Sequence, residues 1–462
     1  MRRKHRPARR RGGIPRLKGR KPMNQVRKIG MISLGCNKNR VDSELALGLL
    51  KARGYELTSD PAQADVLMVN TCGFIDPAKE ESIEAILDMA QYKRTGRCRL
   101  LAVTGCLAQR YEQALLSDIP EIDLLMGVNQ YERLADAIDQ VLSTGKRQSL
   151  CQERFDFFEH DRVLTTPRYT AYTRIGDGCD NRCTFCAIPL IRGRYRSRGE
   201  AEILAEMRAL AGEGVREHIL VAQDTTRYGT DWQEHTALPE LMRKAAAIDG
   251  VDWLRVLYCY PDETDERLLD VIAEGDNICK YLDLPIQHIN DTILRRMHRR
   301  GTSADIRRCL RLARERGLTL RTSIIVGFPG ETEEQFEELL DFLTEAEFDR
   351  LGAFAYSAEE DTPAARMPDQ IPEEIKQERL DRLMTLQAGI SLKRNQARVG
   401  TVEKVLVTDQ DESGRVLGRS QREAPETDGE ILFTARNIPE VGAFVPVRIT
   451  QADTYDLMGE MV

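Results

Sequence analysis

Six of the eleven cysteines in this 462-residue chain fall into two groups of three, and those groups are where chemistry is most readily placed. Cys179, Cys183 and Cys186 stand in the run Cys-Asp-Asn-Arg-Cys-Thr-Phe-Cys, which supplies three thiols and no fourth. A structural zinc site takes four protein ligands, whereas a 4Fe-4S cluster held by three thiolates leaves one iron free for a small molecule. Zinc and three incidental core cysteines remain the alternatives. The second group is spread along the chain: Cys36 follows Ile-Ser-Leu-Gly, Cys72 follows Val-Asn-Thr and Cys106 follows Val-Thr-Gly. Each stands at the carboxyl end of an apolar run that reads as a strand. In a parallel sheet those ends share the edge where ligands bind, so three distant thiolates can converge on one cluster. A small apolar cysteine also suits the end of a core strand; for one residue that is the better reading, for three in one context the shared cluster is. Cys98, Cys151, Cys259, Cys279 and Cys309 carry no such pattern and read as buried spectators.

Elements must exist to position these groups. Apolar runs at 28–34, 64–70 and 99–104 read as buried parallel strands, alternating with helices such as 42–53 and 78–92. Residues 145–168 lose this periodicity and end in Thr-Thr-Pro, which predicts a linker. Strands at 172–178, 218–223, 253–259, 281–287, 320–327 and 350–356 then alternate with helical stretches, six βα units that predict a partial barrel. The triplet directly follows the first of these strands, at the face where barrel active sites gather. Ile203, Leu204, Met207 and Leu210, and again Phe336, Leu339, Leu340 and Leu343, recur at helical spacing and read as core. A long charged helix with Pro372 near its start runs to about Arg398, and short strands at 402–408, 415–418, 430–434 and 444–450 predict a small β-domain.

Composition bounds the rest. With 41% hydrophobic and 31% charged residues, and no apolar run approaching the roughly 18 residues of a membrane span, the chain reads as soluble, with no membrane role. The first 28 residues hold 13 Lys and Arg with no acid and no apolar segment, unlike a secretory signal. Removing those charges from the net of −7 leaves the remainder near −20. A basic arm, 1–26, attracted to RNA phosphate is one reading; a solvated tail, or translation starting at Met23, is the other. An odd cysteine count without an export signal points to a reducing compartment, hence the cytoplasm.

On these residues the chain resembles the radical S-adenosylmethionine (SAM) superfamily, in which the free iron of the cluster chelates the amino and carboxylate groups of SAM. The resemblance implies Phe185 and Ile188 bordering the adenine, Gln223 and Asp224 near the methionine part, and Gly327 and Glu331, in Gly-Phe-Pro-Gly-Glu, passing close to SAM. Glycine lets backbone approach a ligand. Alone, that run reads as a strand-to-helix turn with Glu331 favouring the helix N-terminus. Two three-cysteine groups followed by a small β-domain resemble the layout of the methylthiotransferase family, over about residues 27 to 462. Ser33-Leu-Gly-Cys36, Asn70-Thr-Cys-Gly-Phe-Ile75, Lys79-Glu-Glu-Ser82, Ile188-Pro-Leu-Ile-Arg192-Gly, Gln223-Asp-Thr-Thr226 and Ala424-Pro-Glu-Thr-Asp428-Gly are similar to the subgroup that modifies ribosomal protein S-twelve. Asn37 departs from it, standing where proline is expected.

The implied fold class is α/β: an N-terminal parallel-sheet domain (27–144), a linker (145–168), a central partial (β/α)6 radical SAM barrel (169–396) and a small C-terminal β-barrel of TRAM type (397–462). The implied cofactors are two 4Fe-4S clusters, on Cys36, Cys72 and Cys106 and on Cys179, Cys183 and Cys186, together with SAM. Reductive cleavage of SAM at the barrel cluster gives a 5′-deoxyadenosyl radical that takes hydrogen from an unactivated carbon, work that no acid–base side chain can do. In this family the carbon is the β-carbon of an aspartate. The methylthio group comes from the N-terminal cluster after a second SAM methylates its sulfur. Implied partners are the small-subunit ribosomal protein S-twelve, free or on the ribosome, and an electron donor such as flavodoxin or ferredoxin, with the enzyme a monomer. An adenosine in transfer RNA is the alternative substrate, and a non-catalytic iron-sulfur or zinc protein the alternative class. Residues 397–462 hold 7 Lys and Arg against 12 Asp and Glu, which suits a basic protein better than phosphate, although Arg415, Arg419 and Arg422 could form a local basic patch. His288 and Tyr260 stand at strand ends on the same face, where a hydrogen-bonded structural role is at least as good a reading as contact with substrate.

Overall fold

The computed structural model describes residues 27–151, 157–411 and 414–462; the basic arm at 1–26 lies outside them. The first apolar runs form the middle of a six-stranded, wholly parallel sheet. Its order is Glu56–Leu57, Lys28–Ser33, Val66–Thr71, Leu100–Gly105, Leu124–Met126, Gln148–Leu150. Side chains alternate across a strand. Val66 and Met68 therefore join one core with Leu45, Leu50 and Ile138, while Leu67 and Val69 join a second with Ile86 and Met89. Burial on both faces is why these strands read as continuous apolar runs. The helices Asn37–Ala52 and Leu134–Thr144 feed the first core, and Asp76–Thr95 the second.

The strands Glu56–Leu57, Leu124–Met126 and Gln148–Leu150 carry no visible period because they are two or three residues long. Gln148–Leu150 pairs with Leu124–Met126, so the N-terminal sheet reaches into the segment read as a linker. Farther along, the buried Glu44 holds that segment: its carboxylate accepts from Arg162 and the Thr165 N–H, and its carbonyl from the Val163 N–H.

Six parallel strands follow: Thr170–Arg174, Glu217–Val221, Trp253–Val256, Tyr281–Asp283, Thr319–Val326 and Arg350–Ala355. They make two three-stranded sheets joined at the middle by the Leu254–Ile278 bridge and the bond from Cys259 N–H to the Asp283 carbonyl, 2.9 Å. Strand order follows the chain, giving an open partial barrel. The first strand ends at Arg174, short of the expected 178, because Gly176–Asp177 leaves to pair antiparallel with Arg196–Ser197. Leu220, Leu254, Val256 and Leu282 meet the helical layer of Ile203, Met207, Phe336 and Leu339. Tyr172, Ile219, Val221, Trp253 and Tyr281 form a separate cluster, completed by Val41 from the N-terminal domain and Leu406 and Ala424 from the C-terminal one. The bore is filled from both neighbouring domains.

The helix Glu373–Gln396 leads to a closed five-stranded barrel, with Leu457–Met461 as a fifth strand beyond the four read from sequence. Two buried ionic groups fasten it to the central domain. Glu217 accepts from Arg419 Nη2 at 2.6 Å and Arg255 Nε at 3.1 Å; Glu423 accepts from Arg350 Nη2 at 3.0 Å and from Arg398. Arg419 is thus consumed inside the protein and is no part of an RNA-facing patch. Among the described residues no helix is long and apolar enough to cross a membrane.

Candidate active site

Cys36, Cys72 and Cys106 each follow a parallel strand by one to three residues, and the loops carrying them touch. A Cβ on Gly35 would meet Cys72 Cβ at 2.9 Å, and one on Gly73 would meet Leu107 N and Cα at 2.9 Å. Only residues without a side chain let the three loops close this far. Buried polar groups lock the strand ends. Asn39 Nδ2 donates to the carbonyls of Leu34 (2.6 Å) and Thr71 (3.2 Å), Asn70 Nδ2 to Asn39 O (2.8 Å), and Thr71 Oγ1 to Thr104 O (2.6 Å). Ser82 Oγ holds both the N–H and the carbonyl of Cys72, at 3.0 and 2.9 Å. Cys36 caps the helix Asn37–Ala52, a position whose N–H groups favour a thiolate. Desolvation by the neighbouring chain would raise this exposed thiol, but Lys38, Arg192 and the N–H groups of Asn39 and Lys38 outweigh that and lower it. Cys106 is pushed up to about 12, chiefly by burial, with Arg192 opposing.

The second triplet occupies the loop beyond Asp177. Thr184 is tied to Met297 and Ala364 through its backbone, and Asn181 Nδ2 donates to Asp224 Oδ2 at 2.7 Å. Cys183 Sγ lies 3.7 Å from Arg299 Nη1 and 3.8 Å from Tyr260 Oη, and Arg299 sits 4.0 Å over the Tyr260 ring. Tyr260 therefore touches the candidate centre, the more functional of its two sequence readings. Burial raises the Cys179 thiol to about 12 and that of Cys186 further. Thiols this reluctant to ionise are neutral when free; binding iron releases their protons. Among the described residues no three such side chains gather at a single point as one metal ion would require. A cube binds each thiolate at a different iron and asks for a wider triangle. The donor sets, three thiols each with an adjacent cation, fit a cluster and fit a structural zinc poorly.

Arg192 joins the two groups. It ends the short helix Ile188–Arg192, just after Cys186, yet its Nη2 lies 3.7 Å from Cys106 Sγ and 2.8 Å from Asp42 Oδ2. Its Nη1 donates to Asp177 Oδ1 at 3.1 Å, and Gln223 Nε2 donates to the same oxygen at 3.0 Å. Cys106 also packs against Ala187 and Ile191. Cys106 is thus packed against the helix that directly follows the barrel group. Sequence reasoning quoted Arg192 within a motif but gave it no role; the same holds for Ser82, and Asn39 and Lys38 went unmarked.

The residues expected around SAM are brought to the same side. Phe185 packs with Phe328 and Tyr356, and Ile188 N–H donates to Cys186 Sγ at 3.5 Å. Asp224 is buried, bonded to Asn181 and Thr226, and held above the usual carboxylate range chiefly by burial. Gln223 keeps its Oε1 buried and unpartnered among the described residues. Glu331 lies outside the helix Glu333–Ala346, which Thr332 caps; its carboxylate folds back onto the N–H groups of Gly327 and Phe328. Its Oε1 and the Nε2 of His288, 3.7 Å apart, are both buried without a hydrogen-bond partner. Gly327 (φ +70°) turns its missing Cβ toward Lys376 Cγ at 2.4 Å, so this glycine makes room for the long helix. Cys98, Cys259, Cys279 and Cys309 are buried as expected, and Cys151 is half-buried.

This fold and site define a radical SAM protein: the radical SAM superfamily model matches residues 173–343, flanked by matches to uncharacterized protein family UPF0004 (28–127) and the TRAM domain (399–462). Membership of the superfamily brings a 4Fe-4S cluster and SAM. Among curated relatives, the ribosomal protein uS12 methylthiotransferase RimO of Heliobacterium modesticaldum is 50% identical over 456 residues, 98% of each chain, and that of Geobacter sulfurreducens is 49% identical over 445, covering 95% and 99%. The chain belongs to this RimO family of methylthiotransferases. Among solved structures, the radical SAM methyltransferase TsrM of Kitasatospora setae aligns with a TM-score of 0.53 over 72% of each chain at 15% identity, a likeness of fold.

Proposed function

We propose that this chain transfers a methylthio group to the β-carbon of an aspartate in ribosomal protein uS12, using two clusters and SAM. One observation carries the reading: Cys106, of the N-terminal group, packs on Ala187, the neighbour of Cys186 in the barrel group, with Arg192 against its sulfur. In this reading Cys179, Cys183 and Cys186 hold the cluster that meets SAM, and Cys36, Cys72 and Cys106 hold the second. Bound there, the cofactors supply one-electron chemistry able to take hydrogen from an unactivated carbon and the sulfur to replace it.

The chain's own residues position and insulate. Phe185, Ile188, Gln223, Asp224, Gly327 and Glu331 surround SAM; the unpartnered oxygens of Gln223 and Glu331 are free to accept from it. Arg192 and Arg299 offset the negative charge of the two cluster sites. The acidic C-terminal barrel, 397–462, meets the basic substrate. The division is into an arm at 1–26, an N-terminal domain (27–144) extended by the edge strand Gln148–Leu150, a connecting segment to 168 and a core (169–396). The protein acts as a monomer in the cytoplasm, reduced by a donor such as flavodoxin or ferredoxin.

Mass spectrometry of ribosomal proteins and transfer RNA from a deletion strain tests the substrate. Loss of a methylthio group from uS12 alone is expected; loss from transfer RNA alone overturns the assignment. Anaerobic iron and sulfide analysis tests the cofactors, with about eight of each per chain expected for two cubes.

A further inference from the structure

Buried cations in this protein have acid partners almost throughout. Arg174 and Arg192 share Asp42, Lys79 and Arg110 share Glu359, and Arg255 and Arg419 share Glu217. Lys38 departs from this pattern. It is only 7% exposed, and among the described residues no carboxylate lies within ion-pair distance of it; its ammonium rests 3.3 Å over the ring of Tyr258. Arg299 also has no acid partner among the described residues, but it donates to the Pro285 carbonyl and the Cys183 sulfur. The Lys38 ammonium makes no hydrogen bond to the Cys36 sulfur, and Tyr258 is the side chain it rests against. A largely buried lysine without an acid is costly, and such costs are kept where a charged ligand will arrive.

Its position says which ligand. Lys38 lies in the first turn of the helix capped by Cys36. Tyr258 lies just past the carboxyl end of the strand Trp253–Val256, held at φ +64° by the bond from its N–H to Asp283 Oδ2 (2.9 Å) and by the Thr225 N–H on its carbonyl (3.0 Å). Two residues on, Tyr260 touches Cys183. The strip Tyr258-Cys259-Tyr260 therefore runs from the N-terminal cysteine group to the barrel group. A carbon that loses hydrogen on one side and gains sulfur from the other must sit along that strip.

We propose that Lys38 is the cation that receives the side-chain carboxylate of the substrate aspartate, holding its β-carbon between the two cysteine groups. This rests on the substrate reading given under Proposed function. A compact ammonium with three donors suits a carboxylate that has left water, and the Tyr258 ring supports the charge before the substrate arrives.

The test pairs two proteins in a cycle. Affinities of the reconstituted enzyme, without reductant, are measured for purified uS12 and for uS12 with its target aspartate replaced by asparagine. The wild-type enzyme is expected to prefer the aspartate form about tenfold or more, the scale of one charge-assisted contact. K38M is expected to bind both forms alike, and K38Q carries the comparison if K38M fails to retain iron or to melt as wild type does. An unchanged preference in the folded variant overturns the proposal and leaves Lys38 as a counter-charge to Cys36. A wild-type enzyme that binds neither form overturns the substrate reading beneath it.

Discussion

Arg192 Nη2 stands 3.7 Å from Cys106 Sγ while Arg192 Nη1 donates to Asp177 at 3.1 Å, so one guanidinium from the barrel reaches the cysteine group of another domain. Arg192→Met would take one of two cations from the buried Asp42, which keeps Arg174, and the nearest cation from the buried Asp177, which keeps Gln223 and Asn129. Losing one of several partners of a buried acid costs about 1–3 kcal/mol. Thermal melts of the apoprotein should fall markedly, and anaerobic iron content should drop by about half as the N-terminal group loses its counter-charge. Full iron occupancy in a folded variant would remove Arg192 from any part in holding that group.

Separate duties for the two triplets give opposite phenotypes. Cys183→Ala should abolish SAM cleavage. Cys72→Ala should leave 5′-deoxyadenosine formation measurable by chromatography while methylthio transfer to uS12 stops. Transfer by the Cys72 variant would end the division of labour.

Glu217 ties acid stability to the docking of the C-terminal barrel. Burial would raise its carboxyl, but Arg419 and Arg255 overrule this and bring it from 4.5 to about 2. A depressed carboxyl stabilises the fold above its unfolded value and loses that contribution as pH falls through the folded one. Stability on the order of 3 kcal/mol should therefore drain away between pH 4.5 and about 2. In urea titrations Glu217→Gln should be weaker than wild type at neutral pH, and the gap should close across that window. A gap that stays constant with pH would show that packing, not charge, is responsible.

Gly327→Ala probes whether the glycine serves cofactor or fold. A side chain at φ +70° costs about 1–2 kcal/mol, and the new Cβ would collide with Lys376. Urea unfolding should show that loss in the apoprotein, before any SAM is present. An apoprotein as stable as wild type would return the residue to the cofactor.

Much of this was legible because the signals are local. Cys36, Cys72 and Cys106 announce themselves by ending apolar runs, and parallel-sheet geometry then brings them to one edge. Gln148–Leu150 and Leu124–Met126 were not legible, since three residues cannot display a period and only pairing makes them strands. Arg192, Lys38 and Arg419 were illegible for another reason: each is a charged residue whose meaning lies in what a different domain places against it. Glu331 misled because an acid one residue before a cap resembles one that favours the dipole, while its carboxylate closes its own loop.

The small barrel at the C-terminus is moored by Glu217 and by Glu423 to strands in both halves of the central array, and by Asp428 to Tyr281 as well. Separate moorings remove the swivel that one would leave. Under the proposed reading, a protein held by that barrel is offered to the cysteines at a constant offset, like work clamped a set distance from a blade. Selection then falls on the spacing between grip and target, and an aspartate a few residues out of register would be left untouched however well its chain is held.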